Sequence, residues 1–362
     1  MPSSISSSDP RLVDAPLPDR PLPSTPLGGP AIVAMLLFAI SMVAWEGYWR
    51  DYGAEPAFRN SDGQWAIQRR RIDHGEGGKT VLLGASRILF DVQLEVWERL
   101  AGERPIQLAL EGTSPVSVLE DLAADPDFTG RLIVGVAPDV YFSGFEYRGE
   151  AFRHYRDETP SQRAGEWLSM RFLEPYFAFY EPDFALFTVL ARQAWPRRAG
   201  LDEYEDVRKL SVSAADRNTH MWRKVEVDSE YQAMAQRIWA QWFDVPPPGG
   251  AAGMKKALDE SIERSVAAVA KLRARGIPVV FVRAPSDRDY LAYEDRDFPR
   301  ASTWDVLLAR TGAPGIHFQD YPDMQGLFLP EWSHLAHADA RKFTEALYRA
   351  VKELQAQPPA AR

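Results

Sequence analysis

Three residues in this chain have the types and spacing for nucleophilic acyl chemistry. Ser86 stands in "TVLLGASRILF", Thr80 to Phe90, where an apolar run stops at Gly-Ala-Ser-Arg. Far along the chain, "LPEWSHLAHADARKFTEAL" carries His334 with Glu331 three residues before it. A carboxylate and an imidazole at that spacing on a tight loop can point the same way. The acid then accepts the imidazole N–H, fixes the tautomer and compensates the imidazolium that forms during catalysis. A hydroxyl is needed at the other ring nitrogen, and Ser86, at the tip of a strand, is the best-placed candidate. Each piece alone has a plainer reading. A strand-terminal Gly-x-Ser is usually a turn, and a loop histidine before a helix is usually a cap or a surface residue.

The elements that must position these residues alternate. Val81 to Leu83 reads as a buried strand ending at Gly84, followed by a helix from about Phe90 to Leu100. "RPIQLALEG" gives a second strand stopping at Gly112. "SPVSVLEDLAAD" has helical spacing, with Ser114 as cap and Pro115 in the first turn. "GRLIVGVAPD" is a third strand. After "VPPPGG" the pattern resumes with a long helix from about Met254 to Arg275 and the strand "IPVVFVRAP". A helix at Trp304, the short strand "GIHFQD" and a last helix from Asp339 to about Leu354 follow. Such alternation predicts an α/β fold with a central parallel sheet covered on both faces, a three-layer sandwich. Ligands of such sheets collect outside the carboxyl ends of the strands, where Ser86, Gly112 and Asp139 fall.

From about 140 to 250 the alternation breaks, and a helical insertion is expected there. Its "WLSMRFLEPYFAFYEPDFALFTVLARQAW" is strongly aromatic. Packing on the sheet is the first expectation for that stretch; contact with the bilayer or a membrane partner is the alternative.

The amino-terminal part is a different material. Residues 1–30 are rich in Pro and Ser and read as a disordered tail. "AIVAMLLFAISMVAW" then carries no charge, and extended to Trp49 the run reaches 19 residues, near the roughly 20 that cross a bilayer. Residues 31–49 are therefore expected to be one uncleaved transmembrane anchor, with Trp45, Tyr48 and Trp49 at headgroup level. A buried core helix is the plainer alternative. Residues 50–79 form a polar connector, and 80–358 the α/β domain. Arginines beyond the anchor outnumber those before it, which by the positive-inside rule places the domain in the cytoplasm. That rule is weak for long translocated domains.

Composition narrows the function. Of 362 residues 45% are hydrophobic and 26% charged, a globular profile. A net charge of −9 argues against nucleic-acid binding, which needs a basic face. With no cysteine there are no disulfides or thiolate metal sites. His74, His154, His220 and His317 are scattered without ligand spacing, so neither a metal nor a cofactor is expected.

Together, "LLGASR", "ALEGTS" and "PEWSHL" resemble three blocks of the SGNH (GDSL-like) hydrolase superfamily, in particular membrane-anchored members associated with O-acetylation of bacterial polysaccharides. The resemblance covers Lys79 to Leu119 and Ile277 to Val351. It implies Ser86 as nucleophile, Gly112 as an oxyanion N–H donor and Glu331 with His334 as the acid and base. It also implies a periplasmic domain on the inner membrane, a glycan substrate and a membrane-bound O-acyltransferase partner supplying the acyl group. O-acetyl transfer and ester hydrolysis both remain open, because sugar hydroxyl and water are equivalent acceptors to a triad. Three departures stand out: Ala85 replaces a frequent Asp, Glu331 replaces the usual Asp, and the Asn of the G-x-N block is missing from "VGVAPDVYF". The alternative is a catalytically weak accessory or binding protein of a polysaccharide acetylation or export complex. A soluble-type lipase on a tether is a third reading. Arg87 and Arg283 could bind an anionic substrate, with structural salt bridges as the competing reading. Asn218 is a candidate stand-in for the missing amide, and Asp320 a reserve for the triad acid.

Overall fold

The computed structural model describes residues 26–193 and 204–356. Most of the expected tail, residues 1–25, and the expected last two residues of the domain, 357–358, lie outside the described residues, as do residues 194 and 195 of the aromatic stretch. The chain divides into two compact units, Met1–Tyr48 and Trp49–Arg362.

Helix α1, Gly28–Asp51, runs for 24 residues, about 36 Å at 1.5 Å per residue. It is long and apolar enough to cross a membrane, and none of its most apolar window is buried. Ile32, Leu36, Phe38, Ile40 and Val43 are exposed around the helix. A buried core helix is thereby excluded. Trp49, expected to sit with the anchor, belongs instead to the second unit, where its ring stacks on Phe184 at 4.4 Å.

The connector is part of the core rather than a spacer. Helix α2, Asp62–Arg71, starts at an N-cap in which Ser61 Oγ accepts the Gln64 N–H. Trp65 on α2 is fully buried and donates from Nε1 to the Leu108 carbonyl at 3.0 Å. The folded unit therefore begins well before Val81.

Strand β1, Thr80–Leu83, leads through Gly84 into α3, Ser86–Asp91, and α4, Leu94–Ala101. The single helix expected over Phe90–Leu100 is split because Val92 and Gln93 are extended. Gln93 there donates from Nε2 to the carbonyls of Phe90 and Thr219. Strand β2, Ile106–Gln107, is short; α5, Val116–Ala124, and β3, Arg131–Gly135, follow. The insertion holds α6 (Pro138–Tyr141), α7 (Glu150–Asp157), α8 (Pro160–Phe172) and α9 (Leu186–Ala191). It then forms a hairpin of β4 (Ser211–Ser213) and β5 (Thr219–Met221) before α10 (Arg223–Val227) and α11 (Ser229–Ala240). It is thus not wholly helical. Arg217 in the hairpin turn donates to the carbonyls of Gln107 and Ala109, so the hairpin covers the open edge of β2. Helix α12, Gly250–Ala274, strand β6, Val279–Arg283, helices α13, Arg288–Asp297, and α14, Trp304–Thr311, strand β7, Gly315–His317, and helix α15, His337–Ala356, complete the chain.

The five strands β2-β1-β3-β6-β7 form one parallel sheet in that order. Val81, Leu83, Leu132, Val134, Val279 and Phe281 pack with residues of α5, α12 and α14 in one cluster. The alternate residues Leu82, Ile133, Val280 and Val282 are buried as well. Burial of both registers explains why these strands read as unbroken apolar runs.

The aromatic stretch does not pack on the sheet as first expected. Trp167, Leu168, Phe172, Tyr176 and Phe187 are exposed.

Candidate active site

At the carboxyl end of β1 the backbone turns sharply. A Cβ on Gly84 would lie 2.6 Å from Ile88 Cγ1, so only glycine lets α3 start this close to the strand. Ser86 is thereby the first residue of α3, half-buried, with unpaired helix N–H groups beside it. Gly112 follows β2 at φ +54, and its carbonyl accepts the Tyr147 N–H. Asp139 follows β3 in α6. Ser86, Gly112, Asp139 and His334 all line one cavity of about 2100 Å³. The alternation of strands brings the first three to one sheet edge, and the loop between β7 and α15 delivers the fourth.

That loop is shaped around Glu331. Its Oε1 accepts both the His334 backbone N–H at 2.6 Å and the ring Nδ1–H at 2.9 Å. Its Oε2 accepts the Trp239 Nε1–H from α11. Glu331 is 0% exposed, although it sits in a loop. Trp332 adopts φ +73, a left-handed conformation costing about 1–3 kcal/mol, and its carbonyl accepts the Asp287 N–H. Curling the loop this way lets a glutamate reach its own imidazole despite the extra methylene.

With Nδ1 committed as donor, the assigned tautomer leaves Nε2 as a base. Nε2 is buried and has no hydrogen-bond partner among the described residues, so it makes no hydrogen bond to Ser86 Oγ. Catalytic contacts in ligand-free sites are often long. The imidazole is held flat by Phe90, stacked at 4.4 Å, and flanked by Trp239 at 6.2 Å.

Other expected residues fall elsewhere. Arg87 and Arg283, each 3% exposed, do not line the cavity. Both bind Glu294, at 2.8 and 2.5 Å, so the guanidinium groups take the salt-bridge role rather than meeting a substrate. Burial pushes the Glu294 carboxyl up, but the two guanidinium groups outweigh it and hold it below the usual range. Asn218 accepts the Leu94 N–H and donates to Glu95, away from the cavity, and replaces no missing amide. Asp320 makes a two-pronged pair with Arg300 at the surface and has no contact with the imidazole.

Two carboxyls near the site carry more than the sequence suggested. Burial raises the pKa of Asp139; its Oδ2 accepts the Tyr290 hydroxyl at 2.7 Å, and Oδ1 has no partner among the described residues. Asp91 lies behind the imidazole. Burial pushes its carboxyl up to about 7, partly offset by His334 and the Leu335 N–H. Only its position amid the apolar run "ILFDV" hints at this in the sequence. Trp239 had no such signal: nothing local pairs an insertion indole with a loop 92 residues away.

The Asp91 shift has a measurable consequence. The folded chain keeps a proton that the unfolded chain releases near pH 4. Its stabilising contribution is full below about pH 4 and is lost as pH rises through about 7, reaching up to about 4 kcal/mol. Asp91→Asn cannot ionise. Its melting temperature relative to the native chain should therefore climb between about pH 5 and pH 8. Parallel melting curves across that range would mean that Asp91 is not shifted.

No protein-family model and no curated protein matches the chain.

Proposed function

We propose that the chain is a membrane-anchored serine acyl-ester enzyme that transfers an O-acetyl group to, or removes one from, a cell-surface polysaccharide. One observation carries this reading. A buried carboxylate holds His334 by Nδ1, while Nε2 is left free beside a cavity that also exposes a serine at a helix start. In the first half-reaction Ser86 Oγ attacks the ester carbonyl carbon and its proton passes to Nε2. The oxyanion is met by the backbone N–H groups of Ser86 and Gly112. On collapse, Nε2–H protonates the departing alkoxide and the acyl group stays on Ser86. In the second half, Nε2 deprotonates a sugar hydroxyl or water, which attacks the acyl-serine and regenerates the hydroxyl. Glu331 compensates the imidazolium in both halves.

The parallel order β2-β1-β3-β6-β7, with both strand faces buried, supports a three-layer SGNH-type sandwich. The resemblance of "LLGASR", "ALEGTS" and "PEWSHL" to that superfamily supports a periplasmic domain and a membrane-bound O-acyltransferase as acyl donor. Aromatic rings on the cavity wall, Tyr204, Trp242 and Tyr293 among them, suit the apolar faces of sugar rings.

A second reading is an accessory protein of a polysaccharide acetylation or export complex. The absence of a Ser86–His334 hydrogen bond favours it. A fluorophosphonate probe separates the two. The enzyme reading expects covalent labelling of the native chain that disappears in Ser86→Ala. No labelling, or equal labelling of Ser86→Ala, supports the accessory role.

A further inference from the structure

Helix α8 is inside-out. Its residues Trp167, Leu168, Arg171 and Phe172 fall on one face at i, i+1, i+4 and i+5, and all are exposed, Trp167 at 59% and Phe172 at 52%. The inward side carries the polar groups. Glu166 accepts the Ser61 hydroxyl, and Ser169 donates to Glu174, which is fully buried and also accepts the Arg59 N–H at 2.9 Å. A helix facing water is arranged the other way round. The same character continues beyond α8 with exposed Tyr176 and with Phe187, 86% exposed.

This segment is tied to the point where the chain leaves α1. Arg50 Nη2 donates to the Tyr176 carbonyl at 3.0 Å, and Trp49 stacks on Phe184. A 24-residue apolar helix slightly exceeds a hydrocarbon core of about 30 Å, so its last turn reaches headgroup level. Residues fastened to that turn are held at the same level. Their chemistry suits it: Trp, Tyr and Phe mixed with Arg is the composition favoured at the membrane–water interface. Arg171 forms no ion pair among the described residues and lies over the Phe172 ring, free to meet an anionic headgroup.

We infer that the exposed aromatic residues between Trp167 and Phe187 form a second membrane contact, seated in the interfacial layer of the bilayer. It rests on α1 crossing the membrane but not on the acyl-transfer chemistry.

The absence of cysteine makes the test direct. Full-length Leu168→Cys, Phe172→Cys and Phe187→Cys are labelled singly with an environment-sensitive fluorophore. They are then reconstituted in vesicles of phosphatidylcholine and phosphatidylglycerol. Leu37→Cys in α1 reports the anchor, and Lys352→Cys, exposed on α15, reports water. The inference expects brominated lipid to quench the three face labels, and iodide to quench them several-fold less than the label at 352. Iodide quenching equal to that at 352, with Leu37→Cys still quenched by brominated lipid, overturns the inference and leaves the anchor standing. Loss of lipid quenching at both Leu37→Cys and the face overturns the two together. Shielding from iodide without lipid quenching would assign the face to a second copy of the chain, and also overturns it.

Discussion

Ser86→Ala should lower turnover of a small activated ester by on the order of 10⁶ while leaving the melting temperature unchanged. Ser86 is half-buried at a helix start and shares no hydrogen bond with His334, so truncation removes the nucleophile and little else. His334→Ala should match it in rate, and the double variant should be no worse than either single one, because the two act as a unit. It should differ in stability, since the imidazole is stacked against Phe90 and its removal leaves a cavity. Equal esterase rates for native chain and Ser86→Ala would sink the proposed mechanism. Purified full-length protein, with steady-state kinetics beside thermal melting, gives both readouts from one preparation.

Glu331→Gln is the second large effect, and here rate and stability fall together. The amide cannot compensate an imidazolium, which in a Ser-His-Asp enzyme costs about 10⁴ in kcat; a loss of about 10² or more is expected. Full burial adds a cost that a surface carboxylate would not incur. If the amide oxygen keeps His334, the NH₂ faces the Trp239 Nε1–H, donor against donor. An unmade buried hydrogen bond of this kind destabilises by about 1–3 kcal/mol. Glu331→Asp should not be mild either, since the shorter side chain cannot span from His334 to Trp239. Adding Trp239→Phe to Glu331→Gln removes the opposed donor. The double variant should recover stability without recovering rate. Recovery of both would mean that Glu331 only packs the loop. Near-full turnover in Glu331→Gln would move the acid elsewhere, and Asp91, rather than surface Asp320, would be tested next.

Much of this was legible in the chain itself. Strands at Val81, Leu132 and Val279 could be read because both their faces are buried, leaving unbroken apolar runs. The α1 segment could be read because length and apolarity are local properties of a sequence. The pairing of Glu331 with His334 was also local, three residues apart on one loop. What spacing could not give was anything set by contacts across the fold. The roles of Arg87 and Arg283 depend on Glu294, 207 and 11 residues away, and two exposed arginines would have the same sequence signature. Burial of Glu331 depends on an indole from the insertion, and exposure of Trp167 and Phe172 on polar partners claiming the inner face of α8. Local sequence determines which residues are apolar, charged or nucleophilic and which elements carry them. Only the packed chain decides which charges lose their water and which aromatic faces keep it, because desolvation is a property of neighbours brought together by folding.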